Sequence, residues 1–307
     1  MKKDTWTIND IEDLTGKVIL VTGANSGIGY EATKVFASKG ASIIMGCRNL
    51  VKAKKAKELI LSEFPNALLN IIHLDLTSFK SIKEFSDKVL EKYDRLDILL
   101  NNAGIMTVPY GKTEDGLELQ IGVNHFGHYY LTMSLVNLIN KTKDSRIVNI
   151  ASIAHYYGNI NKNTFEYGEN KKYNKSRAYA QSKLANLLFS YKLIEKLKKQ
   201  NSNIKVLIAH PGVSSTNLGH HIKGGFVKVL QSVLSIVKQN QEKGALPGIR
   251  ACTDVNVKNG EYYGPNRLFQ FKGNPVVVKS NKRSHSKELQ NMLWTESVRI
   301  TRLDLHL

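Results

Sequence analysis

Val18-Ile19-Leu20-Val21-Thr22-Gly23-Ala24-Asn25-Ser26-Gly27-Ile28-Gly29 decides how the rest of the chain is read. Four apolar residues in a row, three of them β-branched, predict a short strand buried on both faces and stopped at Gly23. A helix is expected from about Gly27 to Lys39, with Ala32, Val35 and Phe36 on one face. Between the two, glycines let the backbone turn tightly and approach a pyrophosphate, whose charge would meet the helix N-terminus. The spacing is Gly-x3-Gly-x-Gly rather than G-x-G-x-x-G, so the common dinucleotide fingerprint does not apply directly. A tight turn alone would look similar. The strand–turn–helix setting is what gives the stretch weight.

The same alternation continues outward. Ser42 to Met45, Leu68 to Leu74, Leu96 to Leu100, Arg146 to Ile150 and Ile204 to Ala209 are predicted strands. Helices are expected over Val51 to Phe64, Phe79 to Tyr93, about Leu117 to Ile139, and Ala178 to Lys199. Near-continuous apolar strands, each followed by a helix, specify a parallel sheet covered on both faces. The right-handed crossover rule then leads to an α/β, doubly wound, Rossmann-type sheet of about seven strands. No change of composition marks a second domain, so one domain is expected over 1–307. Its cofactor half would cover about 14–150 and its catalytic and substrate half about 151–307. The irregular stretch His155 to Ser176 sits at the carboxyl end of strand five, where such folds bind ligands.

Composition narrows the class. The chain has 307 residues, 42% of them hydrophobic, which excludes a disordered chain and is enough to bury a large core without disulfides. Lys+Arg minus Asp+Glu is 44 − 26 = +18. The lysines fall on faces opposite apolar ones, as at Lys52, Lys54, Lys55 and Lys57, and no basic stretch is interleaved with aromatics, so nucleic acid is not the expected partner. Cys47 and Cys252 form no CxxC, which suits reduced thiols in a cytoplasmic setting. Met1 to Thr15 carries no apolar segment of signal-peptide type. His125 and His128 are three apart, but no third ligand lies nearby and no metal is expected.

Two further features carry chemistry. The tip of strand two is Gly46-Cys47-Arg48-Asn49. NAD sites place a carboxylate there for the ribose 2′-hydroxyl, whereas a guanidinium pairs with a 2′-phosphate, so Arg48 argues for NADP. Tyr179 and Lys183 are four apart on a predicted helix and share a face. An ammonium beside a phenol favours its ionised form and would make it a usable acid or base near neutrality.

Taken together, Thr22 to Gly29, Asn101-Asn102-Ala103-Gly104, Asn124, Ser152, Tyr179 with Lys183, and Pro211-Gly212 resemble the short-chain dehydrogenase/reductase superfamily. The resemblance runs from about Leu14 to Leu303. Cys47-Arg48-Asn49, Gly122 to His128, Ser182 to Asn186, and Thr216 to Gly219 are similar to its retinol-dehydrogenase-like branch, whose pattern protochlorophyllide-reductase-like proteins largely share. The family implies an NADP(H)-dependent oxidoreductase acting on a small-molecule carbonyl or alcohol. In that role Tyr179 is the proton donor or base, and Lys183 binds the nicotinamide ribose and lowers the Tyr179 pKa. Ser152 holds the substrate oxygen, and Asn124 anchors a proton-relay water. The cofactor would be held by the first turn (Gly23, Asn25, Ser26, Gly27, Ile28, Gly29), and by Arg48 and Asn49. Asp75 and Leu76 would face the adenine, Asn102, Ala103 and Gly104 the adenosine side, and Pro211, Gly212, Val213 and Thr216 the nicotinamide.

The amphipathic stretch Phe226, Val229, Leu230, Val233 and Val237 falls where the family has a substrate lid, about 214–240. A basic amphipathic helix can also rest weakly on a membrane surface. An apolar lid suits a lipophilic, retinal-like aldehyde or ketone, though a small or cyclic ketone stays open. His155, Tyr156, Phe226 and Leu230 are the candidate substrate residues. A non-catalytic NADP-binding scaffold is the rival reading, and assembly through the two long helices into a homodimer or homotetramer is the family's habit.

Overall fold

In the computed structural model, which describes residues 6–165, 173–212 and 240–307, the run Val18–Thr22 is strand β1, with all five residues buried. It pairs in parallel with β2 (Ser42–Cys47) on one side and β4 (Ile98–Asn101) on the other, in registers Val18↔Ser42 and Ile19↔Ile98. The remaining strands are β3 (Leu68–His73), β5 (Arg146–Ile150), β6 (Lys205–Ala209), β7 (Tyr262–Arg267) and β8 (Lys272–Val278). They form one sheet in the order β3-β2-β1-β4-β5-β6-β7-β8. The strand order reverses between β1 and β4, and such a switch point opens a crevice at the carboxyl ends of the strands.

Helices cover both faces. On one, Ile19 and Val21 of β1 pack with Phe36 of α1 (Gly27–Ser38), Ile60 of α2 (Leu50–Glu63) and Ile249 of α7 (Gln241–Thr253). On the other, Leu20 packs with Phe85 of α3 (Phe79–Lys92) and Leu135 of α5 (His128–Lys141). Leu188 of α6 (Lys175–Lys199) and Trp294 of α8 (Lys287–Thr301) complete that layer. Each such side chain taken fully out of water contributes roughly 1.5–3 kcal/mol.

Three differences from the sequence expectations have physical reasons. The sheet has eight strands instead of about seven, and the last is antiparallel, in register Tyr262↔Val278. Both β7 and β8 contain Pro and Gly, which mask a strand in sequence; β8 is the edge strand, and β7 pairs with β6 only over Tyr262 and Tyr263, before its Gly264 and Pro265. The long helix expected from Leu117 is broken into α4 (Leu119–Ile121), a π turn at Gly122–Gly127, and α5. Helix α6 starts at Lys175 instead of Ala178, because the Asn174 side chain accepts the backbone N–H groups of Ser176 (3.1 Å) and Arg177 (3.0 Å). Val213, Thr216, Phe226, Leu230 and the expected lid, up to residue 239, lie outside the described residues.

Candidate active site

The first turn is shaped for an anion. Gly23 and Gly27 have positive φ (68° and 56°), and a Cβ on Gly29 would run into the Gly23 carbonyl and the Asn102 amide. Ser26 precedes α1 without its side chain capping the helix, so the first-turn amides are left to a ligand. Those donors are what a pyrophosphate requires. At the end of β2 the Arg48 side chain is exposed and makes no ion pair among the described residues, while Asn49 caps α2 by accepting from Lys52 N (2.9 Å). Asp75 holds Thr77 through Oδ1 (2.9 and 2.8 Å), and Leu76 is buried.

The turn after β4 is tied to β1. Thr22 Oγ1 accepts the N–H of Asn102 and of Ala103, both at 2.9 Å, and Asn102 Nδ2 donates to the Thr22 carbonyl (2.8 Å). A Cβ on Gly104 would meet Asn124 Oδ1 at 3.0 Å and Lys183 Nζ at 3.5 Å. A side chain here would crowd the Asn124 amide oxygen. Asn124 is fully buried in the π turn: its Oδ1 accepts Ile105 N (2.9 Å), and its Nδ2 donates to Ile105 O (3.0 Å) and Ser182 Oγ (2.9 Å).

The remaining groups converge beside it. Ser152 starts the turn off β5, and its hydroxyl lies near enough to the Tyr179 phenol to favour the ionised form. Lys183 is buried, donates to the Ile150 carbonyl (3.0 Å) and lies 5.8 Å from the centre of the Tyr179 ring. Burial pulls the Lys183 ammonium down to about 8. Burial raises the Tyr179 phenol above its ordinary value of 10, only partly opposed by the Ser152 hydroxyl. This corrects the expectation of a lowered phenol. Desolvation outweighs the stabilisation of the phenolate, and the ammonium is engaged with a carbonyl. Pro211 and Gly212 are half-buried, and Gly212 takes φ 67° where a Cβ would strike the Phe271 carbonyl.

His155 is corrected as a substrate residue. It is fully buried, with Nδ1 on the Ser152 carbonyl (2.7 Å) and Nε2 accepting Asn281 N (3.2 Å). It splints the turn after β5 to the segment after β8. Tyr156 is exposed and sends its hydroxyl to the Lys279 carbonyl (3.1 Å). His125 and His128 turn to different partners, Ser297 Oγ and Thr22 Oγ1. Sequence reasoning missed Ser182, which joins Asn124 to the Tyr179 carbonyl (2.8 Å). Its place one residue before Lys183, on the same helix, was the available signal.

Residues 17–224 match the short chain dehydrogenase family. Among curated relatives, retinol dehydrogenase 13 of Homo sapiens is 37% identical over 297 residues, covering 95% of this chain and 86% of that protein. The chloroplastic short-chain dehydrogenase TIC 32 A of Brassica napus is 38% identical, over 80% of this chain and 78% of that one. A crystal structure of an uncharacterized protein from Mycobacterium Paratuberculosis superposes with a TM-score of 0.82 at 30% identity, covering 99% of this chain and 100% of that one. A short-chain dehydrogenase from Shigella flexneri, crystallised with NADP, shares the fold (TM-score 0.62, 22% identity, 82% of this chain and 98% of that one). The crevice at the switch point, the open helix terminus and the Ser152–Tyr179–Lys183 cluster thus belong to an oxidoreductase of the nicotinamide-dependent kind. The chain belongs to the short-chain dehydrogenase family, in its retinol-dehydrogenase-like branch.

Proposed function

We propose that this chain is an NADP(H)-dependent carbonyl reductase and alcohol dehydrogenase working on a lipophilic aldehyde or ketone. The observation that carries the reading is the meeting of Ser152, Tyr179, Lys183 and Asn124 at the carboxyl end of the sheet, beside a turn built for a pyrophosphate. When bound, the nicotinamide supplies or takes the hydride at its C4. The chain supplies the rest. The Ser152 hydroxyl orients the substrate oxygen, and Tyr179 hands that oxygen its proton. Lys183 would hold the ribose, and Asn124 fixes the turn at Ile105 that flanks it.

At neutral pH Tyr179 is protonated, the form that carbonyl reduction consumes, whereas alcohol oxidation needs the scarcer phenolate. Carbonyl reduction also takes up a proton overall, so the balance moves toward oxidation as pH rises. NADP over NAD follows from Arg48, exposed and without an ion pair among the described residues, and from the lack of a carboxylate at Gly46-Cys47-Arg48-Asn49. The lipophilic substrate draws on relatives that are named retinol dehydrogenases. The chain itself leaves little room for a pairing of the two long helices between copies. Trp294 of α8 packs on Tyr129 and Phe189 (ring centres 5.4 and 6.1 Å), so the α5–α6 face is already covered and a monomer is the proposed state. Turnover of NADPH against a panel of long- and short-chain aldehydes and ketones tests the reading. Oxidation of NADPH by none of them, with the cofactor bound, would favour the non-catalytic scaffold.

A further inference from the structure

His128 lies four residues after Asn124, at the start of α5, and is fully buried. Its two ring nitrogens meet groups from opposite sides of the site. Nδ1 is 3.1 Å from the main-chain carbonyl of Asn124, and Nε2 is 3.0 Å from Thr22 Oγ1. A carbonyl can only accept, so Nδ1 carries the proton and Nε2 is left as an acceptor. Thr22 then gives its single proton to Nε2, in preference to the Leu100 carbonyl at 3.4 Å. Both lone pairs of the same hydroxyl take the N–H groups of Asn102 and Ala103 (2.9 Å each). The ring nitrogens of His128 and the Thr22 hydroxyl are all matched in this arrangement, and only the neutral ring in one tautomer does this. Burial and the nearby Lys183 ammonium keep the ring neutral by holding it down to about 4.

We propose that His128 is a positioning residue for the reaction, holding the Asn124 carbonyl on one nitrogen and the Thr22 hydroxyl on the other. The turn that receives the adenosine side and the π turn that carries Asn124 thereby share one hydrogen-bonded brace. The π turn supplies the reason for a brace. Gly122 and Gly127 bound a stretch whose helical hydrogen-bond ladder is widened, and a main-chain carbonyl there lacks the fixed direction an α-helix gives. A side chain reaching back four residues restores that direction. Asn124 Oδ1 and Lys183 Nζ both face Gly104, so a tilt at Asn124 is felt at the catalytic lysine.

The inference rests on the oxidoreductase reading above, and its test separates the two. His128→Leu removes both bonds. His128→Asn puts an amide nitrogen near the place of Nδ1 and can still donate to the Asn124 carbonyl. His128→Gln reaches only toward Thr22. With NADPH and the best carbonyl of the panel, His128→Leu should lower kcat by at least about tenfold, with the NADPH Kd and the substrate KM within about threefold. His128→Asn should recover most of the loss and His128→Gln little of it. Equal losses in the Asn and Gln variants, or a weakened Kd at intact kcat, would overturn the proposal. Should His128→Leu fail to fold, the Asn and Gln pair decides. Histidine 15N spectra of the wild-type protein give a readout free of turnover: a neutral His128 protonated at Nδ1 supports the brace, and the Nε2-protonated form refutes it. Loss of the oxidoreductase reading would instead show as undiminished activity in Tyr179→Phe, leaving the tautomer to judge His128.

Discussion

Replacing Arg48 by Gln should erase the choice between NADPH and NADH while leaving the fold untouched. The side chain is exposed and has no ion pair among the described residues, so its removal strands no buried partner. A guanidinium about 4 Å from a phosphate charge gains roughly 4 kcal/mol at an effective dielectric of about 20. Exposure, side-chain ordering and salt cut that severely; exposed pairs keep about 1 kcal/mol or less, and charge-assisted hydrogen bonds to phosphate somewhat more. A net value near 1.4 kcal/mol corresponds to about tenfold in affinity. Titration calorimetry on wild type should therefore give NADPH at least about tenfold tighter than NADH. In Arg48→Gln the NADPH value should fall by about that factor while NADH hardly moves, and Arg48→Asp should reverse or abolish the preference. Raising ionic strength from about 0.1 to 1 M shortens the screening length from about 10 to 3 Å and should shrink the preference. Equal wild-type affinities, or equal losses for both cofactors in the variant, would refute the role of Arg48.

Tyr179→Phe deletes a proton source and little packing, so kcat should drop by at least about 10²-fold with the cofactor Kd within about threefold; Ser152→Ala should also lower kcat with NADPH binding intact, both checked by single-turnover and binding assays. Acid should destabilise the fold early. Burial holds His125 at about 3 and His128, His155 and His210 at about 4, against an ordinary 6.5. Below pH 6.5 the unfolded chain therefore binds more protons than the native one, and stability falls by up to about 1.4 kcal/mol per pH unit for each ring. Urea midpoints at pH 7 and pH 5 measure this, and equal midpoints would mean that these rings are not buried neutral. Light scattering on eluted protein should give the mass of one chain, and a dimer abolished by a charge placed on α5 or α6 would contradict the covered face.

The sequence disclosed the parallel half of the sheet because β1, β2 and β4 to β6 are buried on both faces and so read as unbroken apolar runs. The β7–β8 hairpin stayed hidden: Tyr-Tyr-Gly-Pro-Asn-Arg and Lys-Gly-Asn-Pro-Val-Val-Val mix turn residues with strand formers, which the sheet tolerates because β8 is its edge and β7 pairs with β6 only over Tyr262 and Tyr263. The placement of Ser152 beside Tyr179 was legible, since strand ends and helix periodicity fix positions. The direction of the Tyr179 shift was not, because desolvation depends on what else is packed round the phenol. His155 was misjudged for a similar reason: its sequence position beside Ser152 says nothing of Asn281, which is 126 residues away and occupies its ring. The π turn was invisible because Gly122 and Gly127 look like ordinary weak points in a helix.

The helix that covers α5 and α6 is made only after every described strand of the sheet. From β4 onward each new strand lies beside the one before it, so the sheet can grow in step with synthesis. The outer surface of α5 and α6 cannot be finished that way. It waits for Leu293 and Trp294, and for the tail beyond them, where Tyr129 Oη donates to the Leu303 carbonyl (3.0 Å) and Trp294 Nε1 to Asp304 (2.9 Å). Until then a nascent chain presents a bare apolar strip to its neighbours on the polysome, and a product ended before Lys287 presents it permanently. Such a product should sediment as aggregate, whereas the 307-residue chain should stay dispersed.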